Sequence, residues 1–357
     1  MKNLISSWVW AAPLAGLFCL LLGGVVALPA PLLGLVLIAT VLAAVHHAEL
    51  IAHKVGEPFG TFLLALAVTV IEVGLILTLM LQGKAGSETL ARDTVYSAVM
   101  IILNGLVGIC IFIGALRHRE QTFQQAGVSA SLATLSTLTV LTLVLPNFAI
   151  SAGGPFYAPS QLAFVAIVSL LLYLTFVSVQ TIRHRDYFLP PHDAAADLDA
   201  HAPPPDDRAT LISAILLVAC LAEVVLLAKA LAPAIERAVA AAGAPHAVVG
   251  VVIAGLVLLP ESVAATRAAL ANRLQTSLNL ALGSALATIG LTIPAVAGLS
   301  LVGGFHLALG LDARSTVLLF LTLLVAGTSL AAARTTVLQG AVHLVIFGVF
   351  VFTTLVP

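Results

Sequence analysis

Residues 248–270 read VVGVVIAGLVLLPESVAATRAAL. No side chain from Val248 to Leu259 is polar, and then Pro260 and Glu261 interrupt the run before small and apolar residues resume. A soluble protein would bury such a run in its core, where the glutamate has no place. The surrounding chain settles the environment: of 357 residues 61% are hydrophobic and 9% are charged, where a soluble domain carries roughly a quarter charged residues. The composition is that of a polytopic membrane protein. A formal net charge of −1, with no basic or aromatic stripe, gives no sign of a nucleic-acid partner.

A spanning helix needs about 20 mostly apolar residues. Eleven such runs are present, at 9–28, 31–52, 59–82, 94–116, 129–148, 160–182, 209–231, 246–268, 276–300, 314–333 and 336–356. Each is continuous and too long for a barrel strand, which would alternate over about ten residues. In hydrocarbon every backbone group must pair within the protein, which leaves helices. Met1-Lys2 ahead of the first run also fits a secretory signal cleaved near Ala27. The run is long for such a signal and the small-residue site is poor, so a retained leading helix is the expectation. Ten of the fifteen Lys and Arg residues fall on the N-terminal side of the membrane. The positive-inside rule then places the N-terminus in the cytoplasm and the C-terminus outside.

The one long polar insertion, RHRDYFLPPHDAAADLDAHAPPPDDRA at 183–209, holds five prolines and six aspartates and reads as a solvated linker. Asp197 and Asp199 hint at a calcium loop, but the glycine and terminal glutamate of an EF-hand are missing. The linker divides the chain into a leading helix (1–30), a five-helix half (31–183), the acidic segment (184–208) and a second five-helix half (209–357). Two similar halves with an odd number of helices face the membrane in opposite directions, a recurrent transporter plan. The internal echoes are short: Ala48-Glu49-Leu50 in one half against Ala222-Glu223-Val224 in the other, each followed by a helix with a lone glutamate.

Those two glutamates are Glu72, in FLLALAVTVIEVGLILTLML, and Glu261. A charged group at a helix centre costs ~2.5–3.5 kcal/mol on insertion scales, so acids placed there are rare and usually functional. Two facing carboxylates left empty would hold two negative charges in a low dielectric. One divalent cation, two protons, or one sodium ion with one proton would neutralise them. Burial and mutual repulsion both disfavour the charged form, so protons compete with cations, which is the core of antiport. Pro260 has no N–H, leaving the Leu256 carbonyl without its helical partner and able to face a hard cation. The alternative reading of Pro260 is an ordinary kink.

Further oxygens lie nearby in sequence. Thr69 shares a helix face with Glu72, Asn104 interrupts MIILNGLVGIC, and Asn279 and Ser284 punctuate SLNLALGSALATIG. Glu49 sits among His46, His47 and His53 near a cytoplasmic helix end. Interfacial solvation accounts for that cluster, and a proton path or gate is the sharper alternative, because histidine titrates near neutral pH. His343, in the last helix, reads as a satisfied interior residue. Cys19, Cys110 and Cys220 are far apart in apolar runs, without CxxC spacing, and read as small buried hydrophobes.

On these residues the chain resembles the CAX-type cation/proton exchangers of the cation/calcium exchanger superfamily, and within them the ChaA-like bacterial antiporters. VGEPFGTFLLALAVTVIEVGLI is similar to the family's first α-repeat and VVGVVIAGLVLLPESVAATRAALANRLQTSLNLALGSALATIGLTIP to its second. The resemblance implies an all-α fold of one leading helix plus two inverted five-helix repeats. It implies Glu72 and Glu261 as the cation-binding acids, with Gly283-Ser284 and Asn104 in the family's accessory positions. Thr69 and Leu258 stand where the family's motifs have asparagine, which removes two amide oxygens from the shell.

The reading is therefore a secondary antiporter of the bacterial inner membrane, expelling Ca2+, Na+ or K+ against protons. Glu72 and Glu261 bind cation or protons. Thr69, the Leu256 carbonyl, Asn104 and Ser284 lend oxygens, and Glu49, Glu223, His46 and His47 serve gating or the proton path. No cofactor is expected, membrane lipid is the surrounding partner, and a homo-oligomer is left open. A passive cation channel, and an intramembrane enzyme using paired acids, remain the alternatives; HExxH, an aspartate-rich diphosphate motif and a nucleophile elbow are all missing.

Overall fold

Long apolar stretches with few breakers leave the backbone one economical way to pair its polar groups, and the chain takes it. The computed structural model describes residues 2–23, 26, 28–56, 59–81, 87–189 and 205–356. Twelve helices carry the fold among them: α1 (Lys2–Gly23), α2 (Ala30–Val55), α3 (Phe59–Met80), α4 (Leu90–His118), α5 (Gln125–Phe148), α6 (Pro159–Arg183), α7 (Asp207–Ala241), α8 (Ala247–Val257), α9 (Leu259–Leu270), α10 (Leu274–Gly303), α11 (Ala313–Ser329) and α12 (Val337–Leu355). The strands β1 (Gln121–Thr122) and β2 (Arg334–Thr335) pair antiparallel. Seven helices (α2, α4, α5, α6, α7, α10 and α12) are long and apolar enough to cross a membrane, and α8 with α9 makes an eighth if that bent pair is one span. Shorter apolar helices lie at Trp8–Gly23, Ala65–Met80 and Ala313–Ser329. The protein is an all-α polytopic membrane protein.

Outward faces are as apolar as inward ones. On α6, Phe164, Ile167 and Leu171 are exposed while Leu162, Val165, Ala166, Ser169 and Tyr173 on the other side are buried. A helix apolar all round is at home in lipid.

The chain packs as two compact units, residues 1–87 with 198–249, and residues 88–197 with 250–357. In the first, α2 lies against α7 along most of its length, with α1 and α3 packed on both. Lys54 pairs with Asp207 at 2.7 Å and His47 Nδ1 meets Ser213 Oγ at 3.2 Å. Numbers fall on one helix as they rise on the other, so the two run antiparallel. Helix α7 starts where Asp206 accepts a hydrogen bond from the Ala209 N–H, an N-cap on the first turn. It runs past the expected end near 231, through Pro233, to Ala241. On α1, Val9, Ala12, Gly16 and Cys19 form a buried stripe at helical spacing.

In the second unit α4 packs with α9, α10 and α12, and α6 with α10. An irregular segment, Phe305–Asp312, is buried at Leu307, Ala308, Leu309 and Leu311. Its backbone is satisfied: Ala308 N–H donates to Glu88 O, Leu309 and Gly310 N–H to Pro155 O, and Leu311 N–H to Leu143 O. The acidic linker lies largely outside the described residues, at 190–204. Its entrance is anchored by Phe188, 6% exposed, edge-on to Phe176.

Candidate functional site

The span expected at 246–268 is two helices. α8 stops at Val257, α9 starts at Leu259, and the two bend by 56°. Pro260 causes the break, since it can offer no N–H back to Leu256 and its ring crowds that carbonyl. In the first turn of α9 the same proline is well placed, because first-turn N–H groups have no helical partner to lose. Glu261 follows it in that first turn. Its position in the first turn lies at the end of α9 where the helix dipole favours negative charge. Pro-Glu after an apolar run is a helix-start signal; the unbroken apolar continuity on either side concealed it.

Three other expected residues lie in this unit with Glu261. Asn104, fully buried, sits in a π-helical stretch of α4, Ile101–Leu106. That stretch packs against α9 and α10, and α10 carries Ser284, which is partly exposed. The Leu256 carbonyl lies one residue before the end of α8. Another π-helical stretch, Thr288–Thr292, follows Ser284 within α10 and is wholly buried, and two more lie in α5 at Val140–Val144 and in α6 at Val179–Arg183. The third helix of each sequence half therefore carries a widened turn, as α5 and α6 also do, and such turns leave no residue signature.

The Asn104 amide is held at both ends. Its Nδ2 donates to Thr322 Oγ1 on α11 at 2.8 Å, and its Oδ1 accepts from His343 Nδ1 on α12 at 3.3 Å. Ser329 Oγ lies 2.8 Å from His343 Nε2. His343 is a satisfied interior histidine, fully buried, as its place in an apolar helix suggested. Thr322 and Ser329 were missed, since single hydroxyls in membrane helices usually serve packing or bond to their own backbone.

Glu72 lies in the other unit, 2% exposed, well inside α3. Unlike the helix around Glu261, α3 runs unbroken past its acid. Thr69 is buried on the same face and donates its hydroxyl proton to the Ala65 carbonyl at 2.9 Å. The neighbouring α2 and α7 bring the remaining expected residues. Glu49 and His46 are exposed, His47 is buried on Ser213, and Glu223 is 7% exposed. Glu223 Oε2 finds no hydrogen-bond partner among the described residues. A Cβ on Gly16 of α1 would fall 3.3 Å from the Glu223 carboxyl carbon and 3.2 Å from Thr40 Oγ1, so glycine at this position lets α1 pass closely over this acid. Among the described residues no three His, Cys, Asp or Glu side chains converge as a metal cage.

A broken apolar helix with an acid at its restart, packed against the π-helical stretch that carries Asn104, belongs to an all-α membrane fold, which the comparisons with known proteins narrow to a family. The family profile described as "Sodium/calcium exchanger protein" matches residues 24–182 and 212–356. The chain belongs to the sodium/calcium exchanger family. This family member is 50% identical over 359 residues to the "Putative ionic transporter y4hA" of Sinorhizobium fredii, covering 98% of this chain and 96% of that protein. It is 35% identical over 318 residues to the "Sodium-potassium/proton antiporter ChaA" of Escherichia coli, covering 89% and 86%. Its fold is that of native YfkE, with a TM-score of 0.74 at 17% identity over 98% of this chain and 100% of the other. It is also that of the H+/Ca2+ exchanger CAX, with a TM-score of 0.70 at 15% identity over 96% and 87%. The family is one of secondary transporters.

Proposed function

We propose that the chain is a secondary active antiporter that exports Ca2+, Na+ or K+ in exchange for protons, with eleven spans in the bacterial inner membrane and its N-terminus in the cytoplasm. The observation that carries the proposal is Glu261 in the first turn of a helix that restarts inside an apolar span. Discontinuous helices with an ion-binding group at the break are how many secondary transporters build their sites. Glu72, buried well inside the apolar helix α3, is the other half of the exchange: each glutamate binds cation or proton, never both together. Thr69, the Leu256 carbonyl, Asn104 and Ser284 supply the neutral oxygens that a hard cation prefers. Helices α2 and α7, bearing Glu49 and Glu223, shift to switch access, with His46 and His47 on the proton path.

Proton coupling draws support from the relatives, one named a sodium-potassium/proton antiporter and one an H+/Ca2+ exchanger. The test uses everted membrane vesicles energised to an acid interior and followed with a pH dye. Adding Ca2+, Na+ or K+ separately is expected to alkalinise the interior for at least one ion, and Glu72→Gln or Glu261→Gln to abolish the response. Full exchange in both variants would refute the site.

A further inference from the structure

We propose that His343 is a positioning residue for the cation site, acting through the Asn104 amide; this rests on the assignment of Asn104 to that site. The proton positions follow once the amide oxygen is placed toward His343. Asn104 Oδ1 can only accept, so His343 Nδ1 carries the hydrogen between them. With Nδ1 protonated in a neutral ring, Nε2 is an acceptor, and Ser329 donates to it. At the other end Nδ2 donates to Thr322 Oγ1, whose own proton turns toward Met100 Sδ at 3.4 Å. Each end of the amide has a complementary partner, and these bonds hold it in the orientation with its oxygen toward His343.

The helices are built to allow it. A Cβ on Gly105 would lie 3.3 Å from the Phe347 ring, one on Gly108 3.0 Å from His343 Cβ, and one on Gly340 2.6 Å from the Phe112 amide nitrogen. This seam of small residues lets α4 and α12 approach closely, and it runs on either side of the His343–Asn104 bond. An amide oxygen has two lone pairs and His343 uses one. Without His343 the amide can rotate half a turn and present its NH2 group, which repels a cation. Groups that orient metal ligands in this way typically change affinity by 10–100-fold when lost.

Polar residues also serve as plain glue between membrane helices, and the test separates the two roles. Exchange by the full-length chain in everted vesicles is titrated with Ca2+, Na+ and K+, and apparent KM and Vmax are read for the ion that responds. His343→Gln keeps an amide group where Nε2 stood, able to accept from Ser329, and loses the donor at Nδ1. Histidine→asparagine restores a donor at the Nδ1 position. His343→Gln is expected to raise KM about tenfold or more with Vmax little changed, and His343→Asn to bring KM back near the native value. Equal KM values for the two variants, or a fall in Vmax with KM unchanged, would overturn the proposal. If His343→Gln does not accumulate in the membrane, Thr322→Val frees the other end of the amide and is expected to raise KM in the same way; an unchanged KM there overturns the proposal too. Glu261→Gln is run beside them. Exchange surviving in that variant would refute the site itself, independently of His343.

Discussion

Glu261 meets the membrane at the head of a helix, and this changes what the side chain costs. A carboxylate in mid-helix faces backbone groups already paired; one in a first turn faces N–H groups with no helical partner. Dipole and hydrogen bonding at such a site are worth about 0.3–2 kcal/mol, a useful part of the ~2.5–3.5 kcal/mol that an acid costs at a helix centre. Length should therefore matter as well as charge. Glu261→Asp keeps the charge but draws it back by one methylene. Displacements of about 1 Å in a reacting or binding group can cost on the order of a hundredfold, so we expect a clear loss of initial exchange rate short of the null phenotype of Glu261→Gln. Equal rates in Glu261→Asp and the native chain would show that the carboxylate position is not critical. Both glutamates were legible in the sequence, because a charge inside an apolar run needs no structure to be noticed. The partners of Asn104 were not: His343 lies 239 residues away, and no local pattern links them.

At the scale of the element, the break at Leu258 follows from a single residue. Replacing Pro260 by alanine supplies the N–H that the Leu256 carbonyl lacks and lets α8 and α9 merge. Pro260→Ala is expected to leave the detergent-solubilised protein as thermally stable as before or more so, while lowering exchange severalfold, since Glu261 would lose its helix-start position. A destabilised protein with normal exchange would contradict this. The α4–α12 seam makes the opposite prediction. Gly340→Leu forces a side chain into the Phe112 backbone, and overpacking of this kind costs about 1–3 kcal/mol. The melting temperature should fall and cation KM should rise together, as α12 carries His343 away from Asn104. The seam was invisible beforehand because glycines are common in membrane helices, and only the packing shows which ones matter. The π-helical stretches were hidden for a similar reason: IILNGL and TIGLT read as ordinary helix.

For the whole molecule, composition alone fixed the class, and eight of the eleven hydrophobic runs located a helix to within about four residues. The first helix starts seven residues earlier than its run, the seventh ends ten residues later, and the run at 246–268 is two helices. What composition could not reveal is how the runs group. Each compact unit draws on both sequence halves, since α7 from the second half packs with α1, α2 and α3 from the first. The expected site residues divide between the units in the same way, Glu72, Thr69, Glu49 and Glu223 in one, and Glu261, Leu256, Asn104 and Ser284 in the other. Order along the chain carries no such information, because long-range packing decides it. The central claim, that proton movement is coupled to cation movement, is tested most directly with the purified chain in proteoliposomes. An outward proton gradient is imposed, and uptake of Ca2+, Na+ or K+ is followed with equal cation concentrations on the two sides. Accumulation above the external concentration, lost when a protonophore collapses the gradient in voltage-clamped vesicles, is the predicted result. Cation that only equilibrates, whatever the proton gradient, would contradict antiport and identify a passive pore.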